Sequence, residues 1–219
     1  MNCLAVRLLE NAEVDGIAAE LGQRTFSDGK LTAHGLAREV KNNLQLTSKG
    51  PETDELQNIV ISAFRRNAEV QAFALPRRVA APIFSLYDPG MEYGAHVDNA
   101  LIGGIRTDMS VTLFLSRPES YEGGELVIDL PLGSQEIKLD AGEAIVYPSN
   151  TLHHVAPVIR GTRLAAVTWI QSTVRDERIR AILYDLHKTS VDPAVANNPS
   201  LSLLLGKSYL NLLRYAAEA

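Results

Sequence analysis

Short β-rich segments separated by turn signals run through the middle of the chain, and they limit its fold more than any other feature. Gly-Gly, Gly-Ser and Asp-Ala-Gly steps interrupt the apolar and alternating stretches. Many short strands with turn chemistry between them are typical of a β-sandwich or jelly roll. The predicted strands are residues 79–87, 109–115, 125–130, 135–139, 144–147, 151–158 and 164–171.

Helical periodicity marks both ends of the chain. The clearest case is residues 51–67, where apolar side chains form one stripe. The other predicted helices are residues 14–21, 32–46, 176–187 and 201–215. We therefore predict an α+β protein in three parts: a mainly helical region at residues 1–77, a jelly-roll domain at 78–172 and a C-terminal helical extension at 173–219.

The composition fits a globular protein, because 46% of the 219 residues are hydrophobic and 21% are charged. The net charge of −5 argues against a general nucleic-acid surface. Cys3 is the only cysteine, which excludes an internal disulfide. The apolar runs are too short to span a bilayer, and the first residues lack the pattern of a signal peptide. We expect a cytoplasmic protein with neither nucleic-acid nor membrane partners.

Three side chains predict a metal site. His96 and Asp98 occur in the string Y-G-A-H-V-D, and residues i and i+2 of an extended strand face the same side. A histidine from another strand would complete a set of two imidazoles and one carboxylate, which holds iron(II) and leaves coordination positions open. His153 and His154 both follow, in Y-P-S-N-T-L-H-H-V. Adjacent strand residues face opposite sides, so only one of them can bind the ion, and the spacing does not choose between them.

Arg163 follows the two histidines and predicts a site for a carboxylate. A 2-oxo acid that chelates iron through its keto and C1 carboxylate oxygens leaves a distant carboxylate, which a guanidinium binds in bidentate fashion. Two arrangements would bring Arg163 close to His153. One is a hairpin that turns near Val158, and the other is a pair of facing sheets that point both side chains into one cavity. The sequence leaves both open.

Longer motifs resemble a known family. They are Y-G-A-H-V-D-N, S-V-T-L-F-L-S, Y-E-G-G-E-L, Y-P-S-N-T-L-H-H-V-A-P-V and G-T-R-L-A-A-V-T-W-I-Q-S. These strings resemble the PKHD-type hydroxylases, which are bacterial iron(II)/2-oxoglutarate dioxygenases related to prolyl and lysyl hydroxylases. Residues 40–46 and 211–214 match the family as well, so the resemblance covers nearly the whole chain.

The resemblance implies a double-stranded β-helix core flanked by N-terminal and C-terminal helices. It assigns iron and the catalytic role to His96, Asp98 and His153, and it places the 2-oxoglutarate carboxylate on Arg163; His154 falls on a variable position. The implied reaction is hydroxylation of an unidentified small molecule or peptide by dioxygen, with release of succinate and CO2. It further implies ascorbate as the reductant and a link to bacterial iron homeostasis.

Aromatic and polar residues near these motifs are predicted to support the site. Tyr87 and Tyr147 could donate a hydroxyl to the co-substrate, and Tyr93 could contact the substrate. Trp169 is predicted to fill the core. The residues predicted to line the mouth of the site are Asn99 and Arg106.

Two other functions fit the same residues. A non-catalytic jelly-roll sensor would bind iron or 2-oxoglutarate without turnover. A cupin-type metalloenzyme would use no oxo acid, and Arg163 argues against it. The Leu-rich tail also makes a homodimer through the helical regions plausible.

Overall fold

A computed structural model gives the positions of residues 3–32, 35–47, 50–130 and 132–218, and the chain folds into an α+β structure. The strands in chain order are β1 (Leu4–Arg7), β2 (Phe26–Asp28), β3 (Lys41–Asn42), β4 (Leu44–Leu46), β5 (Pro76–Val79), β6 (Ile83–Tyr87), β7 (Glu92–His96), β8 (Leu101–Ile102), β9 (Ile105–Arg106), β10 (Met109–Phe114), β11 (Glu122–Gly123), β12 (Leu126–Leu130), β13 (Gly133–Ile137), β14 (Glu143–Pro148), β15 (His153–Val155), β16 (Val158–Arg160) and β17 (Arg163–Ser172). The helices are α1 (Asn11–Leu21), α2 (Leu36–Glu39), α3 (Pro51–Arg66), α4 (Ala68–Ala74), α5 (Glu177–Val191), α6 (Pro193–Ala196) and α7 (Pro199–Ala216).

Two antiparallel sheets face each other. The major sheet has the strand order β1-β14-β10-β17-β6-β4-β2, and β5 also pairs with β17. The minor sheet has the order β13-β12-β15-β7-β3. Tyr87, Phe114 and Tyr147 of the major sheet share a buried cluster with Leu126 and Ile128 of the minor sheet. Sheets packed in this way form the jelly roll that the sequence predicts.

Helices cover the outer face of the major sheet. Ile17 of α1 and Val60 and Phe64 of α3 share a buried cluster with Val111 of β10 and Ala166 of β17. Alternate residues of these central strands therefore face the helices, while the residues between them face the minor sheet. The inward-facing residues of β10 and β17 are thus the ones available to form a site between the sheets.

The prediction of a helix over residues 32–46 is wrong. Among the residues of this range that the structure describes, α2 is the only α-helix, and β3 and β4 follow it and join the minor and the major sheet. Lys41, Asn43 and Gln45 are buried at every second position, which is the period of a strand. Because these inward residues are polar, a search for apolar periodicity misses them, while the apolar residues between them fit a helical spacing.

Other predicted elements differ from the structure mainly at their ends. Helix α3 confirms the prediction at residues 51–67. The predicted strand at 79–87 is divided near Pro82, and that at 151–158 is divided near Pro157, because proline has no N–H to continue a ladder. The division of the chain into three parts stays a prediction. None of the helices among the described residues is both long enough and apolar enough to cross a membrane.

Candidate active site

A cavity of about 340 Å³ lies between the two sheets. Both sheets contribute to its walls through the inward-facing residues of their strands. The histidines and charged side chains that line it are Lys41, His96, Asp98, His153 and Arg163. A pocket of this size suits a small ligand, and its lining places metal-binding groups and two cations around one space.

The two imidazoles come from adjacent strands of the minor sheet. His96 of β7 and His153 of β15 are partners in the antiparallel register, and their ring centroids lie 4.4 Å apart. The Nδ1 atom of His96 bonds to the carbonyl of Gly94 at 2.8 Å, and that of His153 bonds to the carbonyl of Thr151 at 2.9 Å. Because a carbonyl only accepts, each Nδ1 carries the proton and each Nε2 keeps a lone pair for a metal.

The protonation state of His96 also suits metal binding. Burial and, after it, the neighbouring His153 lower the pKa of His96 to about 4. The imidazole is therefore neutral at pH 7, and the neutral form is the one that coordinates a metal ion.

Asp98 completes a set of three donors. Its Oδ1 lies 3.8 Å from Nε2 of His96, and its Oδ2 lies 3.9 Å from Nε2 of His153. One ligand atom from each of the three residues lies within 4.8 Å of the other two. A metal ion sits about 2 Å from such donors, so donors about 4 Å apart can share one ion. The three residues therefore could hold a metal.

The carboxylate of Asp98 is oriented by the major sheet. The minor-sheet strand β7 ends at His96, so strand geometry alone does not set the direction of Asp98 as predicted. Ser110 donates to Oδ2 of Asp98 through its hydroxyl, and Trp169 donates to the same oxygen through Nε1 at 2.9 Å. Ser110 and Trp169 are register partners on β10 and β17. Trp169 was predicted to fill the core, and the structure shows that it also orients Asp98.

The sequence contains a signal that Trp169 faces the site. Trp169 lies six residues after Arg163 on β17, an even spacing that places both on one face of the strand. Ser110 carries no comparable signal, because its role depends on the pairing of β10 with β17.

Arg163 reaches the cavity from the major sheet and is only 1% exposed. The facing-sheet arrangement is therefore the one that brings it near His153, and the hairpin arrangement is wrong. Its guanidinium lies 5.0 Å from the ring centroid of Tyr87 and 5.5 Å from that of Phe114. Nε and Nη2 of Arg163 have no hydrogen-bond partner within the described part of the chain. A buried cation with free donors is costly unless a ligand pairs with it, which suits the predicted carboxylate.

A glycine makes room for Arg163. Gly124 has a φ of +68°, and a Cβ at this position would lie 3.0 Å from Cδ of Arg163 and 3.0 Å from Cγ2 of Val158. A side chain here would be strained and would press on the arginine. The Gly-Gly step therefore does more than form a turn, since it also clears the space that Arg163 occupies.

The predicted tyrosines all line the cavity. Tyr87 and Tyr147 do so from the major sheet, and burial raises the pKa of both phenols, which therefore keep their protons and can donate a hydrogen bond. Tyr93 does so from β7, and its ring stacks on His96 with centroids 3.7 Å apart.

The remaining predicted residues divide into two groups. Asn99 lines the cavity, as predicted. Arg106 does not belong to the lining, because its guanidinium is paired with Asp108 and Glu218. His154 is not part of the lining either, which agrees with opposite orientations for adjacent strand residues.

The fold and the cavity define a class of protein. Residues 82–171 match the family model described as the 2OG-Fe(II) oxygenase superfamily. A solved prolyl-4-hydroxylase of Pseudomonas putida covers 78% of this chain and 92% of its own length, with a TM-score of 0.56 and 20% identity. A prolyl hydroxylase of Trichoplax adhaerens, solved with a peptide fragment of hypoxia inducible factor, covers 82% and 86%, with a TM-score of 0.57 and 18% identity. At these identities the two structures establish the jelly-roll fold.

Proteins of a known family are similar to this chain over almost its full length. A PKHD-type hydroxylase of Picosynechococcus is 44% identical over 213 residues, which is 97% of both chains. PKHD-type hydroxylases of Maricaulis maris and Klebsiella pneumoniae are 44% and 42% identical, and the matches cover 97% and 96% of this chain and 97% of each relative. The chain therefore belongs to the PKHD-type hydroxylases, within the 2OG-Fe(II) oxygenases. This family implies Fe(2+) and 2-oxoglutarate, and the His-Asp-His donor set fits a ferrous ion.

Proposed function

We propose that the protein is an iron(II)- and 2-oxoglutarate-dependent dioxygenase that hydroxylates a C–H bond of a small molecule or peptide and releases succinate and CO2. One observation carries the proposal: three metal donors and a buried guanidinium with free N–H groups face one cavity from two sheets. Iron and 2-oxoglutarate, when bound, supply the oxidising chemistry. A peptide is one substrate candidate, since the Trichoplax adhaerens prolyl hydroxylase was solved with a peptide fragment.

Four side chains hold the two groups in this proposal. His96, Asp98 and His153 bind the iron through the two Nε2 atoms and a carboxylate oxygen. Arg163 binds the distal carboxylate of 2-oxoglutarate, which would occupy the N–H groups that lack a partner among the described residues. The protein's contribution would be to hold the co-substrate and the metal in fixed positions through these four side chains.

The cavity walls complete the proposed machinery. Tyr87 and Tyr147 offer hydroxyl groups to the co-substrate from the major sheet. Leu126 and Val155 of the minor sheet and Val167 of the major sheet add apolar surface, which keeps water away from the reacting atoms.

The setting of the reaction follows the family resemblance. We propose ascorbate as the reductant, the cytoplasm as the location and a link to bacterial iron homeostasis. The jelly roll at residues 78–172 would carry the site, with helical regions on both sides of it. The homodimer stays a prediction, and the exposed leucines of α7 agree with it.

Removing the indole N–H that orients Asp98 is expected to weaken metal binding. Trp169→Phe keeps an aromatic ring but leaves only Ser110 to donate to Oδ2 of Asp98. Loss of a hydrogen bond to a metal ligand lowers metal affinity by about tenfold or more. Titration of the metal-free protein with Mn(II) should show that loss without a loss of fold in circular dichroism. An unchanged dissociation constant would show that the indole does not position the carboxylate.

Succinate formation tests the proposed function. Purified protein supplied with iron(II), ascorbate and 2-oxoglutarate under oxygen should form succinate slowly, even without a prime substrate. A metal chelator should stop the reaction. If the protein binds 2-oxoglutarate saturably and forms no succinate, it is a sensor, and the proposal of an enzyme is wrong.

A further inference from the structure

Lys41 of β3 is a buried cation in the cavity wall, and none of the roles above uses it. Its side chain is 5% exposed. Nζ donates to Oγ1 of Thr32 at 3.0 Å and lies 5.1 Å from the ring centroid of Tyr93. An ammonium group has three N–H donors, so this hydroxyl leaves donors available for a ligand.

Lys41 has no ion-pair partner among the side chains that the structure describes. Burial lowers the pKa of Lys41 to about 8, and Asp98 and Asp28 oppose this effect only through longer-range attraction. The ammonium is therefore mostly charged at pH 7. A buried charge without a partner costs stability, so a cation kept at this position is best explained by a ligand that pairs with it.

The charges of the filled cavity lead to the same conclusion. Dianionic 2-oxoglutarate balances the ferrous ion, and Asp98 balances Arg163. Histidines that coordinate a metal do so in the uncharged form and add nothing to this balance. Of the charged side chains that line the cavity in the described part of the chain, Lys41 is then the one left without a counter-charge. A single negative charge on the prime substrate would neutralise the site.

Neighbouring contacts hold Lys41 in place. Thr32 is hydrogen-bonded to Gln45, whose Nε2 donates to Oγ of Ser85 at 3.0 Å. Lys41 is also the register partner of Tyr93 in the pairing of β3 with β7. Lys41 of the minor sheet and Gln45 and Ser85 of the major sheet are buried and line the cavity. They form a built site rather than a solvated surface.

We infer that Lys41 binds a carboxylate of the prime substrate, so that the substrate class is a carboxylic acid small enough to enter the cavity. The inference rests on the proposed function. The ring of Tyr93 contacts both Lys41 and the imidazole of His96, so the ammonium lies close to the metal donors. A carboxylate on Lys41 would therefore anchor a substrate whose reacting C–H bond lies a short distance away, beside the metal.

A binding experiment can test this without knowledge of the natural substrate. The protein is loaded with Mn(II), which blocks turnover, and with 2-oxoglutarate. The probes are free amino acids with their amides, and acetylated, amidated dipeptides that contain Asp or Glu with their Asn or Gln counterparts. The two sets distinguish a small acid from an acidic peptide side chain. At least one carboxylate should bind wild-type protein about tenfold more tightly than its amide, as a charge-assisted hydrogen bond allows.

Variants show whether Lys41 is responsible. Lys41→Met should reduce the preference for the carboxylate to about twofold or less, and Lys41→Arg should keep part of it, because it keeps the charge. Lys207→Met removes an exposed lysine of α7 and should change nothing. The dissociation constant of 2-oxoglutarate should stay the same in all variants.

Three results would overturn the inference. They are a wild-type protein that prefers no carboxylate over its amide, a Lys41→Met variant that keeps the preference, and a Lys41→Met variant that loses affinity for 2-oxoglutarate instead. Failure of the proposed function is distinguishable, because it would appear as absence of succinate formation by the iron-loaded wild-type protein, whereas the carboxylate preference is measured by binding to the Mn(II)-loaded protein, which does not turn over.

Discussion

Replacing His153 with alanine is expected to abolish iron binding and succinate formation, whereas replacing its neighbour His154 leaves both largely intact. His153 lies beside His96 on the adjacent strand and 3.9 Å from Asp98, and its Nε2 keeps the lone pair that a metal needs. His154 is not part of the cavity lining. Loss of a direct ligand should lower metal affinity by more than about 100-fold, since loss of a hydrogen bond to a ligand already lowers it by up to about 100-fold.

Metal titration of the two alanine variants measures this difference directly. Each variant removes one imidazole from β15, and the two positions are adjacent. His154→Ala therefore controls for any general disturbance of the strand by the substitution. Loss of metal binding in His154→Ala, with His153→Ala unaffected, would reverse the ligand assignment.

Replacing Arg163 with methionine should raise the KM for 2-oxoglutarate by about 100-fold or more, which is the usual effect of removing one partner from a buried charge pair. Methionine keeps an unbranched apolar side chain at this position and removes the guanidinium that lies over the rings of Tyr87 and Phe114. Arg160→Met is the control, because the ion pair of Arg160 with Glu122 is exposed and contributes little.

The measurement is the dependence of succinate formation on 2-oxoglutarate concentration. Iron affinity should change little in Arg163→Met, because this residue is not one of the three metal donors. An unchanged KM would contradict the role of Arg163 in binding the oxo acid.

Much of the fold could be predicted because its central strands carry apolar residues with turn signals between them. The segments that became β10, β12, β14 and β17 are of this kind. The N-terminal strands β3 and β4 could not be found in the same way, because their inward residues are Lys41, Asn43 and Gln45. Lys41 and Gln45 line the cavity, and their polar side chains hide these strands from a search for apolar periodicity.

Site residues could be predicted where residue type and spacing within one segment indicate them. Contacts that depend on the pairing of two strands could not be predicted in this way. Arg163 and the histidines stand out by residue type and spacing. The orientation of Asp98 depends instead on Ser110 and Trp169, which only the pairing of β10 with β17 brings to it. Arg106 has a suitable residue type, but it pairs with Asp108, two residues further on, and with Glu218, which only the fold brings to it.

In the proposed complex, the two ends of the oxo acid are held by different layers of the protein. Packed sheets lie about 10 Å apart, and side chains such as Phe114 and Ile128 keep them at that separation. An oxo acid one carbon shorter than 2-oxoglutarate would not reach the metal donors and Arg163 together, and one that is a carbon longer would have to bend to fit between them. Selectivity for chain length is then a property of interlayer spacing, and a core substitution that touches neither end of the oxo acid could alter it.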